Sequence, residues 1–209
     1  MSGLFITFEG GEGAGKSTVL SRIKARLEKE GYDVVATREP GGSLIAEKIR
    51  QVILDPIHTE MDSRTEALLY AAARRQHLVE TVLPHLKKGG LVLCDRFVDS
   101  SLVYQGVARE IGIDDVLNIN LFATEGKLPD LTLFFDVAPE IGLARITSHH
   151  GREFNRLDRE SLTFHKQVRD AYHQLHKQEP ERIRMIDASH SIEEVTIKAW
   201  KEIKHVIEG

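Results

Sequence analysis

Lys16 and Ser17 close the run "FEGGEGAGKSTV", in which Gly10, Gly11, Gly13 and Gly15 leave the backbone nearly bare. The spacing of Gly10, Gly15, Lys16 and Ser17 fits G-x-x-x-x-G-K-S/T. Bare backbone of this kind suits an anion. With side chains absent, successive N–H groups curl round a phosphate. A helix N-terminus behind them adds unpaired donors and the positive end of a dipole. Lys16 is then expected to reach the outer phosphates of a nucleotide, and the Ser17 hydroxyl to ligate Mg2+. The bland alternative is a flexible turn. The apolar run "LFITFE" before the loop and the apolar spacing of Val19, Leu20, Ile23 and Leu27 after it supply the strand–loop–helix setting that the motif requires.

Further clusters have chemistry of their own. "LVLCDR" ends a strand-like run with Asp95, placed to hold Mg2+ directly or through water, and Arg96 follows at once. Adjacent residues leaving a strand face opposite ways, so one can serve the metal and the other a second ligand. In "TREPGG", Arg38 offers a bidentate fork for a second phosphate, apart from the glycine loop, although taken alone the segment fits a charged turn equally well. Tyr70 and Arg74 stand four apart and share a helix face, an aromatic plate beside a fork of donors suited to a base. Taken alone, that pair fits an ordinary amphipathic face better. Ser100, Ser101, Tyr104 and Gln105 follow Asp95-Arg96 and offer donors and acceptors for a base edge. Arg152, Arg156 and Arg159 lie in "GREFNRLDRE", where arginines can close over a transferring phosphoryl group, although a solvated basic loop suits at least one of them better. The histidine pairs His149-His150 and His173/His176 lack a matching cysteine or carboxylate set and are expected at the surface.

These residues need a frame. "LFITFE", "DVVATRE", "GLVLCDR", "LTLFFDV" and "RIRMIDA" look like strands, and helical patterns lie between them. Such alternation predicts an α/β fold, with parallel strands and helices on both faces. Ligands of these sheets sit beyond the carboxyl ends of the strands, where the polar clusters of this chain fall. "MDSRTEALLYAAARRQHLVETVLPHLKK" predicts one long helix, opened by Ser63 and Glu66 at capping-box spacing. Residues 146–160 carry no apolar period and are expected to form an exposed loop that covers a site, with Asn155 or Asp158 capping the helix that follows.

Bulk properties narrow the class. A chain of 209 residues, 41% apolar, suits one compact domain with a small lid. A net charge of −4 without a basic block disfavours nucleic acid as the main partner. The N-terminus does not have the form of a signal peptide, and no run approaches the length of a membrane span. The single cysteine, Cys94, cannot form an internal disulfide, which fits a cytoplasmic setting.

In order and spacing, "FEGGEGAGKST", "TREPGG", "CDRFVDSSLVYQG" and "NRLDRE" resemble the thymidylate kinases of bacterial type over essentially the whole chain. The resemblance implies a P-loop kinase fold: a five-stranded parallel sheet flanked by helices on both faces, as a single domain over 1–209 with a lid at about 146–160. It implies transfer of the ATP γ-phosphoryl group to dTMP with Mg2+, in the service of dTTP synthesis, by a homodimer that binds neither nucleic acid nor membrane. The helices near 62–86 and 113–124 are plausible dimer surfaces. For ATP, it assigns Gly10, Gly11, Glu12, Gly13, Ala14, Gly15, Lys16, Ser17 and Thr18. For dTMP, it assigns Glu12 (at the 3′-hydroxyl), Arg38, Tyr70, Arg74, Arg96, Ser101 and Gln105. Ser17 and Asp95 fall at the metal. Lys16, Arg96, Arg152 and Arg156 are the catalytic candidates. Some members carry a loop arginine where this chain has Gly13, so the lid arginines are expected to supply that charge here. The stacking ring, usually Phe, is Tyr70.

Three other readings compete. A kinase for another monophosphate is opposed by "TREPGG" and "DRFVDSS". A GTPase-type switch lacks an N-K-x-D segment and has no use for a second phosphate site. A nucleic-acid motor is disfavoured by size and charge.

Overall fold

The computed structural model describes residues 3–148, 157 and 160–208. Arg152, Arg156, Arg159, Asn155, Asp158 and the pair His149-His150 therefore lie outside the described residues, as does most of the expected lid.

Each strand-like run forms a strand. These are β1 (Leu4–Glu9), β2 (Val34–Arg38), β3 (Leu91–Asp95), β4 (Leu131–Asp136) and β5 (Ile183–Asp187). They pair in parallel in the order β2-β3-β1-β4-β5. The register sets Phe8 and Arg38 both opposite Asp95, so the strands end together. Glu9, Arg38, Asp95, Asp136 and Asp187 thus line one edge of the sheet. β1 shows the period-2 logic. Ile6 and Phe8 enter the apolar cluster under α1 (Lys16–Lys29) and α9 (Ile192–Glu208). Phe5 enters the cluster on the other face, with Phe97 and Tyr172. Thr7 and Glu9 share the Phe5 side, because side chains alternate along a strand.

The remaining helices are α2 (Leu44–Leu54), α3 (Ser63–His77), α4 (Leu83–Lys87), α5 (Val98–Ser101), α6 (Ile113–Thr124), α7 (Pro139–Ser148) and α8 (Leu162–Gln178). The long helix expected after residue 62 is α3 and α4 joined by a π-type stretch, Leu78–Val82. Pro84 has no N–H to give to the α-ladder, and a wider turn absorbs the missing bond. A second π-type stretch, Leu102–Ala108, continues α5. The expected capping box does not form. Asp62 caps α3 instead, accepting from Arg64 N at 2.9 Å and Thr65 N at 3.1 Å. Likewise Ser161 caps α8, accepting from Phe164 N at 3.2 Å. No helix among the described residues is long and apolar enough to cross a membrane.

Candidate active site

The glycine loop leaves β1 and turns into α1 at Gly15. Two glycines are forced by space. A Cβ on Gly10, at φ 138°, would lie 2.4 Å from the Phe135 carbonyl oxygen. On Gly13, at φ 68°, it would lie 2.0 Å from that of Gly142. So α7 presses its backbone against the loop, and no arginine fits at position 13 without moving it.

Lys16 is 7% exposed and donates to the carbonyls of Gly10 (3.1 Å) and Gly11 (2.8 Å). Burial, helped by nearby Arg96, lowers its ammonium to about 8. The ammonium rests on loop carbonyls, within reach of any anion that the loop takes. Ser17 Oγ donates to Asp95 Oδ2 at 2.6 Å. A hydroxyl and a carboxylate oxygen side by side are hard-oxygen donors of the type that suits Mg2+. No cluster of three or more acidic, His or Cys ligands exists among the described residues, and Mg2+ in a nucleotide site needs none.

Beyond the loop, a cleft of about 770 Å3 runs from Glu12 and Lys16 past Arg38, Arg50, Tyr70, Asp95 and Arg96. Its other flank has Arg145, Ile146, His190 and Ile192. Arg96 is built with strain. Its φ is 70°, a region that side-chain-bearing residues rarely adopt. There Nη2 donates to Glu12 Oε1 (2.7 Å) and Nη1 to Ser100 Oγ (3.1 Å), and the guanidinium lies 5.0 Å from the Tyr104 ring centre. Arg38 is looser. It is half-exposed and pairs with Glu47 at 2.9 Å.

A smaller chamber adjoins the cleft, lined by Tyr70, Arg74, Arg96, Ser101, Tyr104 and Gln105. Arg74 is 1% exposed. It donates from Nε to Glu39 Oε2 (2.7 Å), from Nη1 to Ser101 Oγ (2.9 Å) and to Asn120 Oδ1, and from Nη2 to the Phe97 carbonyl (2.9 Å). One hydrogen of its five remains on Nη2. Glu39 also takes His77 Nδ1 at 2.8 Å, and His77 Nε2 meets Thr37 Oγ1 at 2.7 Å.

The structure therefore gathers Glu12 through Thr18, Arg38, Tyr70, Asp95 and Arg96 along one cleft, with Arg74, Ser101 and Gln105 in its side chamber. Gly10 and Gly11 serve that cleft as the carbonyls holding Lys16. Sequence reasoning missed Arg50 and Arg145 on the cleft, and Glu9, Glu39, Glu66 and Asn120 behind it. The alternation of β2 held a signal for one of them. Arg38 faces out at the strand end, so Glu39 has to face in. The surface histidines turn out to be tethered: His173 lies 3.2 Å from Asp136 and His176 Nδ1 lies 2.8 Å from the Ile183 carbonyl.

The family model for thymidylate kinase matches residues 8–199. The chain belongs to the thymidylate kinase family. A thymidylate kinase of Geobacillus sp. (strain WCH70) is 54% identical over 209 residues, covering all of both chains. One of Halalkalibacterium halodurans is 59% identical over 202 residues, covering 97% of this chain and 96% of that one. Among solved structures, thymidylate kinase from Ehrlichia chaffeensis superposes with a TM-score of 0.79 at 30% identity, covering 98% and 99% of the two chains. The site of this family member has two parts, the loop end of the main cleft and the side chamber at Arg74.

Proposed function

We infer that the chain is a nucleoside monophosphate kinase that transfers the γ-phosphoryl group of ATP to dTMP, giving dTDP for dTTP synthesis. The observation that carries this reading is the second site. A buried arginine, a buried glutamine and a ring line a chamber opening onto the phosphate cleft at Arg96. A switch or a plain ATPase has no use for it.

Phosphoryl transfer asks the protein for position and charge rather than covalent chemistry. The loop from Gly10 to Thr18 cradles the ATP phosphates, and Lys16 moves from the Gly10 and Gly11 carbonyls to the outer ones. Ser17 and Asp95 would hold Mg2+, which would supply neutralisation of phosphate charge. Arg96, fixed by Glu12 and Ser100, binds the dTMP phosphate and keeps the acceptor oxygen in line, with Arg38 at its solvent side. Arg50, on the same cleft wall, joins them. Glu12 meets the 3′-hydroxyl. Tyr70 stacks on thymine, the remaining Nη2 hydrogen of Arg74 meets its 4-carbonyl, and Ser101 and Gln105 meet its edge. Because Gly13 leaves no room for a side chain, the catalytic charge comes from Arg152 and Arg156 of a lid within a single kinase domain.

The enzyme works in the cytoplasm as a homodimer. Support for the dimer comes from Leu68 on α3, 56% exposed, and Phe122 on α6, 89% exposed, on helices that pack together. An apolar face of this kind marks an interface. Sedimentation of wild type against Phe122→Glu tests it, a monomeric wild type being the adverse result.

The deciding experiment is ADP release with ATP, Mg2+ and each nucleoside monophosphate in turn. Turnover strongest with dTMP is expected. Preference for another monophosphate would keep the kinase and break the base-reading assignments. ADP release indifferent to every monophosphate would overturn the reading.

A further inference from the structure

The base chamber has an outer support that the kinase reading leaves unexplained. Glu66 sits on the first turns of α3, where a capping role was expected, and it is buried. Its carboxylate accepts from Gln105 Nε2 at 2.8 Å. Arg109 braces the same carboxylate, with Nε and Nη2 both 3.4 Å from its oxygens. Arg109 is itself held by Glu160 at 2.6 Å and lies 4.9 Å from the Phe164 ring centre.

A side-chain amide has two faces: nitrogen donates and oxygen accepts. Nothing in its own shape decides which way round it lies. A carboxylate paired with a guanidinium decides it, because such a carboxylate only accepts. Turning the amide over would lose a charge-assisted hydrogen bond and set oxygen against oxygen. With its nitrogen committed to Glu66, Gln105 has its oxygen left for the chamber that it lines, and that oxygen takes no hydrogen bond among the described residues.

We propose that Glu66 is a positioning residue for base selection: it locks the Gln105 amide so that its carbonyl oxygen faces the nucleobase, and the pocket accepts a ring N–H and refuses a bare ring nitrogen. Thymine has a hydrogen on N3, and cytosine has a lone pair there. A fixed acceptor bonds to the first and repels the second. This selection adds to the one that Arg74 makes at the 4-position. It also explains why a carboxylate is buried behind a neutral glutamine, where an apolar residue would otherwise pack. The inference rests on the dTMP reading above.

The test compares kcat/KM for dTMP and dCMP in wild type and Glu66→Gln. A neutral amide at position 66 offers both donor and acceptor, so Gln105 is free to turn. The expected result is a rise in the dTMP KM of about tenfold with kcat nearly kept, and a dTMP:dCMP preference narrowed by about tenfold or more, the loss a freed amide gives up in rejecting the wrong group. The ATP KM should not move. A purely structural Glu66 would lower both substrates in proportion, and an unchanged preference overturns the proposal. If Glu66→Gln does not fold, wild type still decides. dTMP methylated at N3 keeps both carbonyls and loses the N–H. It should bind at least about tenfold more weakly, and equal binding overturns the proposal. A wild type that does not phosphorylate dTMP at all would instead sink the kinase reading.

Discussion

The two ends of the cleft are built by different means. The phosphate end is one stretch of chain, residues 10 to 18, and its shape is mostly backbone, with glycines where Phe135 and Gly142 come close. Among the described residues, the hydrogen bonds of its lysine go to carbonyls of its own loop. The base end has no such continuity. Arg74 on α3 is tied to Glu39 after β2, to Phe97 and Ser101 around α5, and to Asn120 on α6. Gln105 is tied to Glu66 and, through it, to Arg109. A backbone cradle can lose its charged group and stay folded. A chamber made of buried ion pairs loses stability with each charge left unpaired.

The largest effect should fall at the base end. Arg74→Met strips a buried cation from Glu39 and leaves the acceptors of Ser101, Asn120 and Phe97 unpaired. Removing one member of a buried pair costs about 3–5 kcal/mol. Urea denaturation should show that loss, together with a raised dTMP KM. A variant of wild-type stability that had lost only dTMP affinity would break the contrast between the two ends.

At the phosphate end, Lys16→Ala should do the reverse. With the catalytic role proposed for Lys16, losing its charge costs about 3–4 kcal/mol of transition-state stabilisation, or about 10²–10³ in kcat. Stability should hardly move, because two loop carbonyls regain water. Thermal melting and single-turnover kinetics on the same sample separate the two quantities. A large drop in melting temperature would mean that Lys16 also holds the loop in shape.

The same contrast governs what was legible beforehand. Loop chemistry is contiguous, so Gly10, Gly15, Lys16 and Ser17 announce it, and five apolar runs announce the strands. Strand order was not legible, since parallel pairing leaves no mark on the separate runs. Nor was the framework of the chamber. Glu66 looked like a capping residue, because spacing alone cannot tell that Asp62 takes the cap and frees Glu66 to turn inward. Tyr70, Arg74, Ser101 and Gln105 came as site residues through the family resemblance. Taken alone, their spacing described an amphipathic helix face and a polar helix start. Arg50 had neither a motif nor a period to mark it.

Glu9 joins the two ends and gives a pH test. It closes β1, directly before the loop, and its carboxylate accepts from Phe97 N (2.6 Å), Ser100 Oγ (2.5 Å) and Tyr172 OH (2.7 Å). Burial, with Asp99 adding to it, raises its carboxyl from 4.5 to about 7. The folded state therefore holds this proton more tightly than the unfolded chain. The resulting stabilisation is full below pH 4.5 and is lost as pH rises to about 7. Its size is about 3 kcal/mol. Glu9→Gln has no proton to lose. Whatever its baseline, its stability relative to wild type should climb by about that amount from pH 4.5 to pH 8 and then level off. Urea titrations across that range measure it. A constant difference would mean that the three donors keep Glu9 ionised throughout.

The smallest effect concerns the one feature of thymine outside the contacts proposed for Arg74 and Gln105, its methyl group. Uracil has the same carbonyls and the same N3 hydrogen, so every polar contact assigned to the chamber is available to dUMP. Only apolar contact with the methyl separates the two. One methyl in a pocket is worth about 1–3 kcal/mol, or about 10–200-fold in kcat/KM. The chamber adjoining Tyr70 and Tyr104 is tight but not sealed, because it opens onto the main cleft. The lower part of that range, about tenfold, is therefore expected, with dUMP still a substrate. Steady-state kinetics with both nucleotides give the ratio directly. Equal efficiency would show that nothing packs on the methyl. Discrimination above about 10³-fold would exceed what one methyl supplies and would require a polar contact beyond those assigned to Arg74, Ser101 and Gln105.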